Sequence, residues 1–155
     1  MTQIPLDELL PHRPPMLLID AVESFDAEAK RLVARVTIGE GQLFFDGQGV
    51  PSWVAIEYMA QTAAALVGYH DKHFAPDEPI RPGLLLGTRR LELKLERFEP
   101  GKTYRIIAEN AFSDSDAASF ACTIVDDSGA TVATANLNAY RPPDMEKFMK
   151  EQFDI

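Results

Sequence analysis

From Trp53 to His70 the chain runs WVAIEYMAQTAAALVGYH, with no proline and only Gly68 before its end. Good helix formers dominate it, and small or apolar side chains occupy nearly the whole helical circumference. A helix that is apolar all round has no solvated face and must be wrapped by other structure. Glu57 and Gln61 interrupt the run, which reads as a buried helix rather than a membrane span. The rest of the chain must supply the wrapping.

Upstream, Leu6 to Leu10 predicts a short helix ended by Pro11, and Met16 to Phe25 predicts a strand entering the core. Leu32, Ala34, Val36 and Ile38 alternate with Arg35 and Thr37, the period of a half-buried strand. After the helix, a loop with three prolines spans Asp71 to Pro82. Four strand-like runs follow: Leu84 to Leu95, Thr103 to Phe112, Ala117 to Val125 and Thr131 to Tyr140. Glu99-Pro100-Gly101, Ser113-Asp114-Ser115-Asp116 and Asp127-Ser128-Gly129 punctuate them as turns. Short turns between successive runs predict an antiparallel meander. One antiparallel sheet wrapped around one long helix is an α+β arrangement. A length of 155 residues favours one domain, over residues 1–140, with a C-terminal tail at 141–155 that opens on two prolines.

A formal charge of -9 disfavours nucleic acid and anionic membrane as partners. The single cysteine, Cys122, excludes an internal disulfide and reads as a core thiol beside Phe120 and Ile124. No Cys and His pair stands at ligand spacing, so neither a metal nor a redox cofactor is implied. The start MTQIPLDELL has no basic or apolar signal region, so a cytoplasmic protein without membrane insertion is expected. The basic residues are clustered, with Arg81, Arg89, Arg90, Lys94 and Arg97 close together. They form either a solvated strand face or a local patch for an acidic partner or a phosphate.

Glu57 is the most informative residue. It lies near the start of the helix, and Gln61, four residues on, shares its face. Burial would favour the neutral carboxyl, whereas the dipole at the helix N-terminus favours the anion. Two readings stand: a group that gives and takes a proton, or a structural glutamate paired with an arginine or facing a subunit interface. Backbone N–H groups near Ser52, Trp53 and Val54 are candidate donors to a thioester carbonyl, as in an oxyanion hole. His12, in the rigid run Leu9-Leu10-Pro11-His12-Arg13-Pro14-Pro15-Met16, is a catalytic candidate only if the fold brings it to Glu57. His70 and His73 stand at the helix end, where capping or solvation is the simpler reading.

Several motifs then fall into a known order. LLPHRPPMLLIDAV resembles the opening of the hotdog-fold 3-hydroxyacyl-acyl-carrier-protein dehydratases. LFFDGQG followed by VPSWVAIEYMAQTAA is similar to their central helix motif, and GTRRLELKLERFEPG and ATANLNAY resemble their later strands. The resemblance runs from Leu6 to Tyr140 and is nearest to the dehydratase-like proteins of aryl polyene type pathways. It implies a single hotdog domain with an acyl tunnel beside the central helix. Glu57 falls at the position of the family's acid, and the family's site is shared between subunits. Gln48, Ser52, Trp53, Val54, Gln61 and Gly87 are the expected substrate-binding residues. The family's base is a histidine in a G-H-F-P run before the helix. Here Gly47-Gln48-Gly49-Val50-Pro51-Ser52 is shorter, and Gln48 stands where that histidine would be. Glutamine cannot act as a base.

Three functions follow from the resemblance and this departure. The first is a dehydratase using His12 and Glu57 on 3-hydroxyacyl groups carried by acyl carrier protein or CoA. The second is a non-catalytic acyl-binding subunit of an active dehydratase. The third is a thioesterase in which Glu57 orients a water. Arg89, Arg90 and Lys94 are the candidate patch for an acidic carrier protein. A homo-oligomer (a dimer or a trimer of dimers) or a hetero-oligomer with a related dehydratase is expected, because a lone sheet leaves an edge unpaired.

Overall fold

The computed structural model describes residues 4–77, 83–114, 116–141, 147, 150 and 151. Helix α1 (Leu6–Leu9) leads into strands β1 (Ala21–Asp26) and β2 (Arg31–Thr37). Strand β3 (Val50–Pro51) and one 3-10 turn (Ser52–Val54) precede the central helix α2 (Ala55–Phe74). Strands β4 (Leu84–Leu93), β5 (Arg97–Phe98), β6 (Thr103–Asp114), β7 (Ala117–Val125) and β8 (Thr131–Tyr140) complete the order. Six strands form one antiparallel sheet in the order β1-β2-β6-β7-β8-β4, and β3 pairs with β5 in a separate ribbon.

Period-two alternation builds the inner face of the sheet. Leu32, Ala34 and Val36 of β2 are buried, as are Tyr104, Ile106 and Ala108 of β6 and Phe120, Cys122 and Ile124 of β7. Register aligns them across strands, as in the pairs Ala34 with Ile106, Ala108 with Cys122, and Cys122 with Ala135. Helix α2 lies across this face over β6, β2 and β7, setting Tyr58, Met59, Leu66 and Tyr69 against it. This is the hotdog architecture, one sheet curled around one helix. Helix α1 closes a further side. A Cβ on Gly68 would stand 2.7 Å from the Leu9 carbonyl oxygen, so only glycine lets the two backbones approach this closely.

Four features depart from the sequence reading. First, α2 is not wrapped all round: Ala60, Ala64 and Val67 stay half-buried along one face. Apolar composition cannot separate a face covered by the same chain from one left open. Second, α2 continues past His70 to Phe74, because no helix breaker intervenes before Pro76. Third, the expected strand at Met16 to Phe25 shortens to Ala21–Asp26, since the Met16 carbonyl and Leu18 amide bond to the Gln61 side chain. Fourth, the meander holds for β6, β7 and β8, but β4 pairs with β8 at the sheet edge. The ribbon of β3 and β5 escaped notice because two residues carry no period. Arg81 and most of the expected tail lie outside the described residues. Among the described residues, no helix is long and apolar enough to cross a membrane.

Cys122 is 2% exposed, and burial pushes its thiol up to about 12. The native protein is therefore expected to resist alkylation at mildly alkaline pH and to react promptly once unfolded. Mass spectrometry after iodoacetamide treatment checks this, and fast labelling of the native state would contradict the packing described.

Candidate active site

The segment bearing His12 is folded back on itself by proline and arginine. Pro11, Pro14 and Pro15 stiffen it, and the Pro14–Pro15 bond is cis. The Arg13 guanidinium donates to the carbonyls of Leu10 (2.7 Å), His12 (2.8 Å) and Asp7 (3.1 Å). Arg13 is thereby committed to the shape of the loop, and the loop presents His12 to the first turn of α2.

There His12 Nε2 lies 3.7 Å from Glu57 Oε1, within one chain. The side chains are 29% and 35% exposed, so both remain open to a ligand. The deep burial expected of Glu57 is thus not met in the single chain, because it sits on the open face of α2. His12 Nδ1 is buried without a hydrogen-bond partner, which leaves Nε2 as the nitrogen facing the carboxylate. Gln61 is fully buried. Its Oε1 accepts from the Leu18 amide (2.8 Å), and its Nε2 donates to the Met16 carbonyl (2.7 Å) and to Glu57 Oε1 (3.1 Å).

A cavity of about 480 Å³ runs from His12 and Glu57 along the open face of α2. Ala60, Ala64 and Val67 line its middle, and Asp71 and Arg141 stand at its far end. With a rise of 1.5 Å per residue, Glu57 and Asp71 are separated by roughly 21 Å along the helix. Small side chains leave the width for an extended chain to lie there. The Arg141 guanidinium pairs with the Asp71 carboxylate, fastening the end of β8 to the last turn of α2. No sequence signal announced this pair, which joins residues far apart in the chain.

Among the expected site residues, the structure brings together His12, Glu57 and Gln61. Of these, His12 and Glu57 line the cavity, whereas Gln61, expected to bind substrate, is fully buried and, like the remaining expected residues, lies off the lining. Gln48 is exposed in a turn where its amide donates to Asp46 Oδ1 at 2.9 Å. Trp53 is exposed with its ring against Phe44, Val54 is in the core, and the Ser52 amide is spent on the Glu96 carbonyl at 3.0 Å. Gly87 lies in β4 at a register shift. Arg89, Arg90 and Lys94 are exposed. Arg90 adopts φ 54 where β4 bulges between Arg89 and Glu92. Arg97 belongs elsewhere, since its Nε donates to Asp46 Oδ2 at 2.7 Å and holds that carboxyl below its usual range.

The chain matches the family model of the ApeP-like dehydratases, described as ApeP dehydratase, over residues 4–150. It is 31% identical over 107 residues to the 3-hydroxyacyl-[acyl-carrier-protein] dehydratase FabZ of Chlamydia pneumoniae, covering 66% of this chain and 67% of that protein. The FabZ of Variovorax paradoxus is 32% identical over 115 residues, covering 61% and 73%. Among solved structures, the dehydratase heterocomplex ApeI:P from Xenorhabdus doucetiae superposes with a TM-score of 0.85 at 28% identity, covering 97% of this chain and 99% of that one. A hypothetical thioesterase from Streptococcus pneumoniae, solved with coenzyme A, shares the fold at a TM-score of 0.61 and 11% identity, over 78% and 84%. At that identity the likeness speaks for the fold alone, so the thioesterase reading gains nothing from it. Because the family match takes in nearly the whole chain, and the same fold recurs in the ApeI:P heterocomplex, the chain belongs to the ApeP-like dehydratase family.

Proposed function

We propose that this dehydratase acts on 3-hydroxyacyl thioesters and that His12 and Glu57 move the two protons of the reaction. The observation that carries this reading is the 3.7 Å approach of His12 Nε2 to Glu57 Oε1 at the end of an apolar cavity. Dehydration breaks the bond from the α carbon to hydrogen, forms the carbon–carbon double bond and expels the β-hydroxyl as water. One group must take the α proton while another gives a proton to the leaving hydroxyl. A histidine and a carboxyl that hold one transferable proton between them satisfy this balance: one member accepts, the other donates, and the pair again holds one. At 3.7 Å the two are slightly beyond direct hydrogen bonding, and such contacts commonly tighten once substrate is bound.

The substrate carrier is an acyl carrier protein, as in the name of the FabZ relatives, with CoA as the simpler thioester. Three exposed cations, Arg89 and Arg90 at the β4 bulge and Lys94 just past the end of the strand, support an acidic protein partner. Reversing their charge is expected to slow turnover of carrier-bound substrate several-fold while sparing a small thioester mimic. Steady-state rates on both substrates check this, and equal losses would defeat it.

One observation favours a paired form of the enzyme. The loop position of the usual histidine is Gln48, which is exposed and away from the cavity, and a relative of the same fold assembles as the ApeI:P heterocomplex. Strand β4 ends the sheet and exposes Leu85, Leu86, Leu91 and Leu93, as an oligomer-forming edge would. The test is turnover of a 3-hydroxyacyl thioester by the chain alone and after mixing with a related dehydratase. Activity alone supports His12 as the second proton-transfer group. Activity only in the mixture, unaffected by His12→Ala, transfers that role to the other subunit.

A further inference from the structure

Two consecutive residues of α2, Gly68 and Tyr69, hold helix α1 by its backbone. A Cβ on Gly68 would meet the Leu9 carbonyl oxygen at 2.7 Å, the Leu9 Cα at 3.2 Å and the Leu9 carbonyl carbon at 3.3 Å. The Tyr69 hydroxyl accepts from the Ile4 amide at 3.1 Å. Glycine is a poor helix former, so local propensity argues against it inside α2. What it gains there is the approach of Leu9. His12 follows close behind Leu9 in the chain, and Leu9, Pro11, His12 and Gly68 all line the cavity.

We infer that α1 and the segment running on to His12 form one arm seated on α2 at Gly68, and that Gly68 is a positioning residue that sets how far His12 stands from Glu57. The inference rests on the proton-transfer role proposed above for His12. Gly68 lies three turns past Glu57 on nearly the same face of α2, roughly 16 Å further along the axis. The stretch from Leu9 to His12 can span at most about 11 Å, and the imidazole with its 3.7 Å gap to Glu57 makes up the remainder. The arm therefore works near full stretch, with no slack to absorb a shift of its seat. It is also stiff. Leu10 is extended (φ -122, ψ 143), the conformation favoured before a proline. The Leu10 amide donates to the Leu6 carbonyl at 2.9 Å, and the Arg13 guanidinium gathers the carbonyls of Asp7, Leu10 and His12. Gly68→Ala would push the Leu9 oxygen from 2.7 Å out to about 3.4 Å, where ordinary contact begins. A stiff arm carries that displacement on to the imidazole.

The test is Gly68→Ala, assayed in the wild-type and His12→Ala backgrounds, in whichever assembly turns over substrate. A seat for His12 predicts a kcat loss of roughly 10- to 10²-fold with KM nearly unchanged, the effect of a catalytic group misplaced by up to about 1 Å. It also predicts almost no further loss on top of His12→Ala. A raised KM with unchanged kcat would make Gly68 a wall that touches substrate and overturn the inference. Full additivity with His12→Ala would reduce the contact to general stability and overturn it as well. Tyr69→Phe removes only the hydroxyl that holds Ile4, and it decides the matter if Gly68→Ala fails to fold. A kcat loss that vanishes in the His12→Ala background then supports the arm, and wild-type kcat overturns it. If the wild type never dehydrates a 3-hydroxyacyl thioester, or His12→Ala leaves turnover intact, the proposed chemistry fails by itself. Crystal structures of the wild type and the folded variant still decide this inference. A separation of His12 Nε2 from Glu57 Oε1 that lengthens beyond 3.7 Å supports it, and an unchanged one overturns it.

Discussion

Glu57→Gln is expected to lower kcat for dehydration by roughly 10²- to 10⁴-fold while leaving the folded state nearly unchanged. The substitution preserves shape and keeps an oxygen to accept from Gln61 Nε2, so the local hydrogen bonding survives. It removes the exchangeable proton, because an amide neither gives nor takes one at neutral pH. At 35% exposure the side chain contributes little to the core, and a stability change within about 1 kcal/mol is expected. His12→Ala should cause a loss of the same order in the active assembly if both members of the pair move protons. Steady-state kinetics with thermal melting of each variant separates chemistry from folding. Wild-type turnover by Glu57→Gln would remove the carboxyl from the reaction.

Gly49→Ala is expected to have the largest effect on stability. Gly49 has φ +136, a backbone region open essentially to glycine alone. An added Cβ would also stand 2.2 Å from the Phe98 carbonyl oxygen, which is backbone and cannot swing aside. Strain and overlap together should cost about 2–5 kcal/mol. The damage would not stay local. Val50 pairs with Phe98 in the β3–β5 ribbon. The Phe98 ring packs edge-on against Tyr58 of α2 (5.3 Å) and Tyr104 of β6 (4.9 Å). The ribbon thus fixes how the chain enters α2, one residue before Tyr58 comes Glu57, and a displaced ribbon displaces the carboxyl. Urea unfolding should give a lower midpoint for Gly49→Ala, with kcat reduced as well. Wild-type stability would contradict the close approach of this loop to β5.

The strands of the inner face were legible because each carries its own period: Leu32, Ala34 and Val36, or Phe120, Cys122 and Ile124, alternate within a single run. Pairing is a property of two runs, and nothing in Leu84 to Leu93 says that its neighbour is β8. The central helix was legible from composition, but its open face was not, since Ala60, Ala64 and Val67 look no different from the buried residues beside them. At the site, Glu57 stood out as a carboxyl in an apolar run. The destination of His12 was hidden, because its prolines show stiffness and not direction. The bonds from Gln61 to Met16 and Leu18 span more than forty residues and join a side chain to backbone, a contact no residue pattern encodes. Gln48 shows the opposite case. Motif register brought it to notice, yet its turn is held by Asp46 and faces solvent.

The most direct test follows one substrate through the reaction. A 3-hydroxyacyl group on acyl carrier protein is incubated with the wild-type chain, alone and with a related dehydratase, and the acyl group is weighed by mass spectrometry. Loss of one water with the thioester intact, abolished by Glu57→Gln, is the predicted result. Release of free thiol with the hydroxyl retained, or dehydration that Glu57→Gln leaves untouched, would contradict the role given to the carboxyl on this helix.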